Sequence, residues 1–468
     1  MKTLSSPHGV APTRVAELMQ AEQALYARTR AGSGKLYAQG KQSWLYGAPS
    51  HWMRRWIGGW PIYIKDEIDE NARPYGVRFA DVDGNEYVDF CLGDTGGMCG
   101  HGHPAVVAAI TKQARIGTSL MLPNGDAEWV GEELKRRFGL PYWNLTTSAS
   151  DANRAVIRLA RMITERPRVL VFSGAYHGSV EEAHVELREG QVHLRNNIHH
   201  NFFPHDALSR VVEFNDIPAL EAALRQGDVA CVLAEPLMTN YGMISPAPGF
   251  HEALRRLTRE TGTVLVIDET HTISSGPCGY TALHALEPDM FVIGKAIAGG
   301  IPAAAFGLSQ AMAERVWKVL PPVPPTVRQS AHAGMGGTLA GNALTVAVMR
   351  AVLSKVLTAD AFERMLALAE RLQRGVNDSI ARRQLPWHAT RVGSRVETLF
   401  APDAPRNAAE VKQHRNPDLE ALLHLFLMNR GVLITPFHNM MLVCPGTTAD
   451  DVDKHNAVFD ELVAELVK

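Results

Sequence analysis

The sequence lacks the features that mark several classes of protein. Its 468 residues include no basic tail, and a formal net charge of -2 gives no electrostatic reason to bind nucleic acid or an acidic membrane. No apolar run approaches the roughly 20 residues that cross a bilayer, and the first residues have no apolar signal core. We therefore expect a cytoplasmic protein that acts on small molecules, with no nucleic-acid or membrane partner.

Cysteine is also scarce. Cys91, Cys99, Cys231, Cys278 and Cys444 form no CxxC pair, and their spacing to histidine is not that of a metal site. We expect reduced thiols and no bound metal. The sequence shows no internal repeat and no low-complexity segment. Hydrophobic residues make up 46% of the chain, which is enough for a core that encloses a deep pocket.

Short apolar runs alternate with helical patterns along the middle of the chain. The runs are RVLVF (168–172), VACVLAEP (229–236), TVLVIDE (263–269) and DMFVIGKA (289–296). Continuous apolar strands that alternate with amphipathic helices are typical of a parallel sheet covered on both faces. The sequence therefore predicts an α/β fold with a large, mostly parallel α/β/α domain.

The pattern changes near residue 343, which predicts a second domain. Helical patterns at 360–372 and 450–467 flank a strand-like segment at 394–400. We expect an N-terminal segment (1–98) that packs with the small domain, a large ligand-binding domain (99–342) and a small α+β domain (343–468).

Asp268 and Lys295 each follow an apolar strand, where ligands bind in open parallel sheets. A carboxylate at a strand end can also cap the next turn, and a lysine in a loop can be a surface residue. If Lys295 is buried, however, desolvation lowers its pKa and makes it an amine nucleophile that forms imines with carbonyls.

Two polar turns complete the set of candidates. Ser148 and Ser150 precede a helical pattern, and the start of a helix binds anions such as phosphate. Plain N-capping by serine is the alternative. Tyr176 and His177 follow the strand at 168–172, where a tyrosine can cover a flat ring or pack at the rim of a pocket. A phosphate, a reactive carbonyl and a ring nitrogen together describe pyridoxal 5'-phosphate (PLP).

Several longer motifs occur in an order that resembles the class III aminotransferases of fold type I. They are DVDGNEYVDF (81–90), GHGHPAVVAAI (100–110), SASDANRAVIRLAR (148–161), AYHG (175–178), AEPLMTNYG (234–242), DETHT (268–272), GKAIAGGIP (294–302) and GGTLAGNAL (336–344). The chain is most similar to the subgroup of the glutamate-1-semialdehyde aminomutases. The resemblance runs from about residue 40 to the end and implies a fold type I PLP enzyme.

The resemblance also implies roles for individual residues. Lys295 would form the imine with PLP and move a proton between substrate and cofactor, and Asp268 would pair with the ring nitrogen. Thr338 would reach the phosphate bound by the other subunit, which implies a homodimer with shared active sites. The other expected cofactor contacts are Ser148, Ala149, Ser150, Tyr176, His177, Asn240, Thr270 and His271.

Some of these positions depart from the family pattern. Thr270 replaces a valine, and His271 stands where relatives have glutamine or methionine. His271 would either bond the phenolic oxygen of PLP or pack beside the cofactor. Asp94 and Thr95 stand where the aminomutase has a tryptophan near its substrate, and Asn439 stands where it has a glutamate.

The last two departures favour a different reaction. We expect transamination between an amino acid, or a related amine, and a keto acid, through pyridoxamine phosphate. The alternative is an isomerase of the same fold, either an aminomutase or an amino-acid racemase. A carboxylate substrate calls for arginine. The candidates are Arg54, with its neighbour Arg55, and Arg395, and Thr95 is a further candidate substrate contact.

Overall fold

The computed structural model describes residues 7–65, 75–195, 204–321, 334–436 and 438–468, without the side chains of Arg54 and Arg55. The chain forms two compact units. The small unit contains Met1–Pro104, Asp360–Ala404 and His414–Lys468, and the large unit contains Ala105–Ala359 and Pro405–Gln413.

The N-terminal part of the small unit begins with two helices and continues into a hairpin. Its elements are α1 (Pro12–Thr29), α2 (Ala31–Gly40), β1 (Arg78–Ala80) and β2 (Glu86–Asp89), with a 3-10 turn at His51–Arg55. Strands β1 and β2 pair antiparallel. They flank the Asp-Gly turn at 83–84, which favours a hairpin.

The large unit follows. Its strands are β3 (Tyr142–Thr146), β4 (Arg168–Phe172), β5 (Val185–Arg188), β6 (Gln191–Leu194), β7 (Ser209–Val212), β8 (Val229–Ala234), β9 (Val264–Asp268), β10 (Met290–Ile293) and β11 (Ala304–Leu308). Its helices are α3 (Pro104–Ile116), α4 (Ala127–Phe138), α5 (Ala149–Thr164), α6 (His205–Leu208), α7 (Ile217–Leu224), α8 (Phe250–Thr261), α9 (Gly279–Leu283), α10 (Gln310–Val319) and α11 (Ala343–Lys355).

Seven of these strands, within the described residues, form one sheet in the order β3-β11-β10-β9-β8-β4-β7. Strands β10, β9, β8, β4 and β7 pair in parallel, and β11 is antiparallel to both of its neighbours. Every residue of β8, β9, β10 and β11 is buried. This agrees with their continuous apolar sequences and confirms the predicted α/β fold.

Helix α5 packs on the sheet through one apolar face. Ala152, Ala155, Val156, Leu159 and Ala160 are buried. The helix contacts β8, β10 and β11. Asn153 in its first turns bonds Asp268, and its first residue, Ala149, lies beside Gly294. Its N-terminus therefore lies at the edge of the sheet where Asp268 and Lys295 are also found.

The remaining elements follow α11. They are α12 (Ala359–Arg382), β12 (His388–Val392), β13 (Arg395–Leu399), α13 (Ala408–His414), α14 (Pro417–Asn429), β14 (Val432–Leu433), β15 (Met440–Leu442) and α15 (Ala449–Leu466). Strands β12, β13 and β15 form an antiparallel sheet. Strand β14 pairs with β2, and α1 packs along α14, so N-terminal and C-terminal segments build the small unit together.

The large unit extends beyond the expected boundary at residue 342. Helix α11 contacts α4 and the 3-10 turn at Lys295–Ala298, so it belongs with the sheet. Residues 405–413 also return to this unit, where the backbone N–H of Ala408 donates to Glu213 Oε2 at 3.1 Å.

Three further observations concern the cysteines, the helices and the possible metal ligands. All five cysteines are free thiols. Among the described helices, none combines the length and apolarity that crossing a bilayer requires. The same residues contain no cluster of three or more histidine, cysteine, aspartate or glutamate side chains suited to a metal.

Candidate active site

Asp268 is the last residue of β9, and three donors hold its carboxylate. Oδ2 accepts hydrogen bonds from Nδ1 of His177 and from Nδ2 of Asn153, both at 2.9 Å. Oδ1 accepts from the backbone N–H of Thr270 at 3.1 Å. The site therefore joins the end of β9, the loop after β4 and the first turns of α5.

The carboxylate of Asp268 is a buried anion. Burial by itself raises its pKa, but the hydrogen bond and charge of His177, with the bonds from Thr270 and Asn153, lower the pKa to about 2. Asp268 is therefore ionised at neutral pH. Because a buried anion is costly without a cation, it is suited to hold a positively charged ring nitrogen.

Asn153 is a site residue that the sequence interpretation missed. Its Nδ2 donates to Asp268 and also to the backbone carbonyl of His177 at 3.1 Å. The residue lies on the buried face of α5, among alanines and aliphatic side chains. In the sequence, this site residue is indicated by a polar side chain in an otherwise apolar stripe.

Glu269, the next residue, has a different role. Its carboxylate accepts from Thr272 Oγ1 at 2.9 Å, from the backbone N–H of Tyr280 at 2.7 Å and from that of Thr281 at 2.5 Å. Burial raises the pKa of Glu269. These bonds anchor the start of α9. Of the two adjacent carboxylates, Asp268 therefore belongs to the candidate site and Glu269 has a structural role.

Lys295 follows β10 and contacts His271. Its Nζ lies 2.8 Å from Nε2 of His271, which is within hydrogen-bonding distance. Of the two roles expected for His271, neither includes this bond to the lysine. The histidine therefore bonds the amine that the sequence identifies as the reactive group.

The backbone at Lys295 is strained. Its φ is +50°, in the left-handed region that costs a residue with a side chain roughly 1–2 kcal/mol. A Cβ added to Gly294 would meet the Cβ of Ala149 at 3.1 Å and that of Ala304 at 3.2 Å. The lysine loop therefore approaches the first residue of α5 closely, and glycine permits this approach.

The first turn of α5 forms a polar cup. Ser148 is the N-cap, with Oγ accepting from the backbone N–H of Asp151 at 3.2 Å and donating to its Oδ2 at 2.8 Å. The capping interpretation is therefore correct for its side chain. The N–H groups at the start of a helix have no intrahelical acceptor, so those of Ala149 and Ser150 are suited to bind an anion.

The loop after β4 is fixed to this cup. Ser150 Oγ accepts from the backbone N–H of Ser179 at 2.9 Å. A Cβ at Gly178 would lie 2.1 Å from that Oγ, and Gly178 has a φ of +77°. Only glycine allows the loop that carries Tyr176 and His177 to come this close.

These residues fit PLP. A buried ionised carboxylate suits the pyridinium nitrogen, a helix N-terminus suits the phosphate, and Lys295 supplies the amine. The Thr270 hydroxyl and His177 Nε2 are also buried and have no hydrogen-bond partner among the described residues. A bound group beside β9 would offer such a partner.

The other expected cofactor contacts, Tyr176, Asn240 and Thr338, also lie in the large unit. Tyr176 is half-buried and Thr338 is exposed. Asn240 Nδ2 donates to Thr239 Oγ1 at 3.4 Å. The N–H of Thr239 donates at 3.1 Å to Glu235, whose pKa is raised by burial.

The expected substrate residues lie in the small unit. Arg395 is fully buried, and its guanidinium donates to Thr95 Oγ1 and lies 3.4 Å from Met440 Sδ. Asn439 donates to the Thr398 carbonyl at 3.2 Å. The side chain of Arg54 is outside the described residues, although its backbone belongs to the 3-10 turn.

Comparisons with known proteins extend this description. A family model described as aminotransferase class-III matches residues 70–464. A glutamate-1-semialdehyde 2,1-aminomutase 2 of Brevibacillus brevis is 30% identical over 416 residues, which cover 85% of this chain and 90% of that protein.

Two solved structures are also similar. A glutamate-1-semialdehyde-aminomutase from Pseudomonas aeruginosa PAO1, in complex with PMP, is 52% identical with a TM-score of 0.94, covering 98% of this chain and 99% of that one. An omega-transaminase from Sphaerobacter thermophilus is 26% identical with a TM-score of 0.81, covering 93% and 98%.

Proposed function

Because the chain belongs to the class-III aminotransferase family and its cofactor is PLP, we propose that it is an aminomutase that moves an amino group between two carbons of one molecule. The observation that carries this proposal is the 52% identity, over 98% of the chain, to an aminomutase of known structure. The substrate class is an amino acid or a closely related amine with a carboxylate.

The roles of the residues follow from their contacts. PLP, when bound, accepts the electron pair of a breaking Cα–H bond into its ring. Asp268 holds the proton-bearing ring nitrogen. Lys295 Nζ would move a proton between the substrate carbon and the cofactor. The N–H groups of Ala149 and Ser150 bind the phosphate.

Further cofactor contacts belong to the same proposal. Tyr176 covers one face of the ring and Asn240 lies near the phenolic oxygen. These roles are supported by the positions of the two residues after β4 and β8, at the edge of the sheet where Asp268 also lies.

Transamination between an amino acid and a keto acid is the second candidate. It is favoured by Thr95 and Asn439, which differ from the tryptophan and glutamate of the aminomutase. The side-chain amide of Asn439 donates a hydrogen bond to the backbone carbonyl of Thr398. The cofactor residues are the same for both reactions.

Product analysis without any keto acid separates the two candidates. The purified holoenzyme would be mixed with an excess of glutamate-1-semialdehyde, and the isomer with its amino group on C1 would be followed by NMR, which distinguishes isomers of equal mass. An aminomutase makes many equivalents of this isomer. A keto-acid requirement, with at most one equivalent of deaminated product per site in its absence, would instead support transamination.

We also propose a homodimer with shared sites in a reducing compartment such as the cytoplasm. The free cysteines suit that compartment. Ile116, Leu120, Met121 and Leu122 are all more than half exposed within one short segment of the large unit. Exposed apolar clusters of this kind favour a protein interface, and a second copy of the chain is the partner implied by the role of Thr338.

A further inference from the structure

Arg195 lies beside the loop that carries Tyr176, although no sequence motif drew attention to it. It follows β6 directly, and its backbone N–H donates to the carbonyl of His184 at 3.1 Å. This bond continues the β5–β6 hairpin by one residue. The position of the side chain is therefore set by a regular element.

The guanidinium contacts the loop that carries Tyr176 and His177. Its Nη2 donates to the backbone carbonyl of Ala175, the residue before Tyr176. Two residues further on, His177 donates to Asp268. A single short loop thus connects the guanidinium with the carboxylate at the end of β9.

The charge of Arg195 is only partly compensated. Burial lowers its pKa, while the more distant groups of Glu186, Tyr241, Tyr176 and Glu235 act in the opposite direction. Arginine nevertheless keeps its charge in proteins. Among the described residues, no carboxylate lies within ion-pair distance of this guanidinium.

The nearest acidic side chains on the hairpin have other partners. Glu186 pairs with Lys412 at 2.8 Å and also with Arg188. Arg195 is therefore a half-buried cation, and its remaining N–H groups are suited to donate hydrogen bonds to an anion.

We propose that Arg195 binds the carboxylate of the substrate beside Tyr176. The proposal rests on the proposed PLP-dependent function and assigns the residue that binds the carboxylate of its substrate. The planar fork of arginine matches a carboxylate with two parallel hydrogen bonds. Arg395 is less suited because it has no exposed surface and is already bonded to Thr95.

The test compares amines with and without a carboxylate. The probes are the common amino acids, β-alanine, 4-aminobutyrate and glutamate-1-semialdehyde, each beside the amine that lacks its carboxylate. Changes in the visible absorption of the holoenzyme give a half-saturating concentration and a limiting rate for each probe. The variants are Arg195→Gln, Arg195→Lys and, as a control on the same hairpin, Arg188→Gln.

We expect Arg195→Gln to raise the half-saturating concentration of the best carboxylate donor about 10-fold to 100-fold, since a charge-assisted bond is lost. The limiting rate and the response to the matching amine should change little. The half-saturating concentration for Arg195→Lys should fall between those of the wild type and Arg195→Gln, because lysine keeps the charge but lacks the planar fork of arginine. Arg188→Gln should resemble the wild type.

Other outcomes overturn the assignment. Equal losses for the acid and the amine in Arg195→Gln would show that Arg195 only supports the Ala175 carbonyl. A best donor without a carboxylate would also exclude the proposal. If no probe changes the spectrum of the wild type, and no isomer forms, the proposed function itself fails.

Discussion

The Nζ atom of Lys295 lies 2.8 Å from Nε2 of His271, and this bond joins the reactive amine to the residue that departs from the family pattern. In the family pattern that the sequence resembles, glutamine or methionine is expected at this position. Unlike a methionine, the imidazole accepts a hydrogen bond and can also carry a proton. We therefore propose that His271 positions Lys295.

The first prediction concerns this pair. Replacing His271 by alanine should slow the spectral change on adding an amine about tenfold, because Lys295 Nζ loses its hydrogen bond to the imidazole. His271→Gln should recover most of the rate if the histidine only orients the amine. Rapid-mixing spectroscopy from pH 6 to 9 provides the measurement.

The pH profile gives that experiment a second readout. A histidine that takes a proton from Lys295 produces a pH dependence that His271→Gln removes, since an amide does not titrate in this range. The titratable groups at and just after the end of β9, Asp268 and Glu269, are present in both proteins. Identical rates for wild type and His271→Ala at every pH would contradict a role for the pair.

The second prediction concerns Asp268 and acid stability. Its pKa falls from an ordinary 3.8 to about 2 in the folded protein. A lowered pKa contributes stability that is present above the ordinary value and is lost as the pH falls through the folded value. For Asp268, the loss therefore occurs as the pH falls from about 4 to about 2.

Urea unfolding of the apoprotein at several pH values tests this. The difference in unfolding free energy between the wild type and Asp268→Asn should be largest near neutral pH and should shrink below pH 4. Asp453→Asn is the control, because Asp453 also has a lowered pKa but forms an exposed pair with Arg371. A constant difference for Asp268→Asn across the range would contradict the lowered pKa.

The sequence predicted the strands more completely than the contacts between them. The run at 168–172 coincides with β4, and Asp268 ends β9. The bonds that Asp268 makes to Asn153 and His177, however, cross 115 and 91 residues of chain. Periodicity reports which face of an element is apolar, but it does not report which distant side chain meets it.

The expected substrate residues show the same limit. Arg395 was chosen because a strand residue near a pocket can bind a carboxylate, yet its side chain has no exposed surface. Arg195 was overlooked because its neighbours in sequence carry no motif. Burial and charge partners depend on the tertiary structure, so the pattern alone could not rank these arginines.

The third prediction concerns Gly178. A Cβ there would lie 2.1 Å from Ser150 Oγ, so Gly178→Ala must displace either the polar cup at the first turn of α5 or the loop after β4. We expect cofactor affinity to fall about tenfold or more, as when a charge-assisted bond is lost. Fluorescence titration of the apoprotein with PLP measures this change.

Gly190→Ala is a matched control. Gly190 has a φ of +75°, close to the +77° of Gly178, but its added Cβ would meet nothing within 4 Å. Both variants bear the same left-handed strain, and only one disturbs Ser150. Equal cofactor affinities in the two variants would show that the contact with Ser150 does not matter.

The last prediction concerns Thr338 and the shared site. Thr338→Val keeps the size of the side chain and removes its hydroxyl. If the hydroxyl binds the phosphate, PLP affinity should fall about tenfold to hundredfold. Thr338→Ser keeps the hydroxyl and should resemble the wild type.

Mixed dimers then decide which subunit supplies the residue. A dimer of one Lys295→Ala chain and one Thr338→Val chain has an intact site only if Thr338 acts across the interface, because the chain that keeps Lys295 then receives the threonine of its partner. Borohydride trapping, read by mass spectrometry, attaches PLP only to the chain with Lys295. Trapping at wild-type PLP concentrations supports the shared site, whereas the weak trapping of the Thr338→Val homodimer would place the threonine in its own subunit.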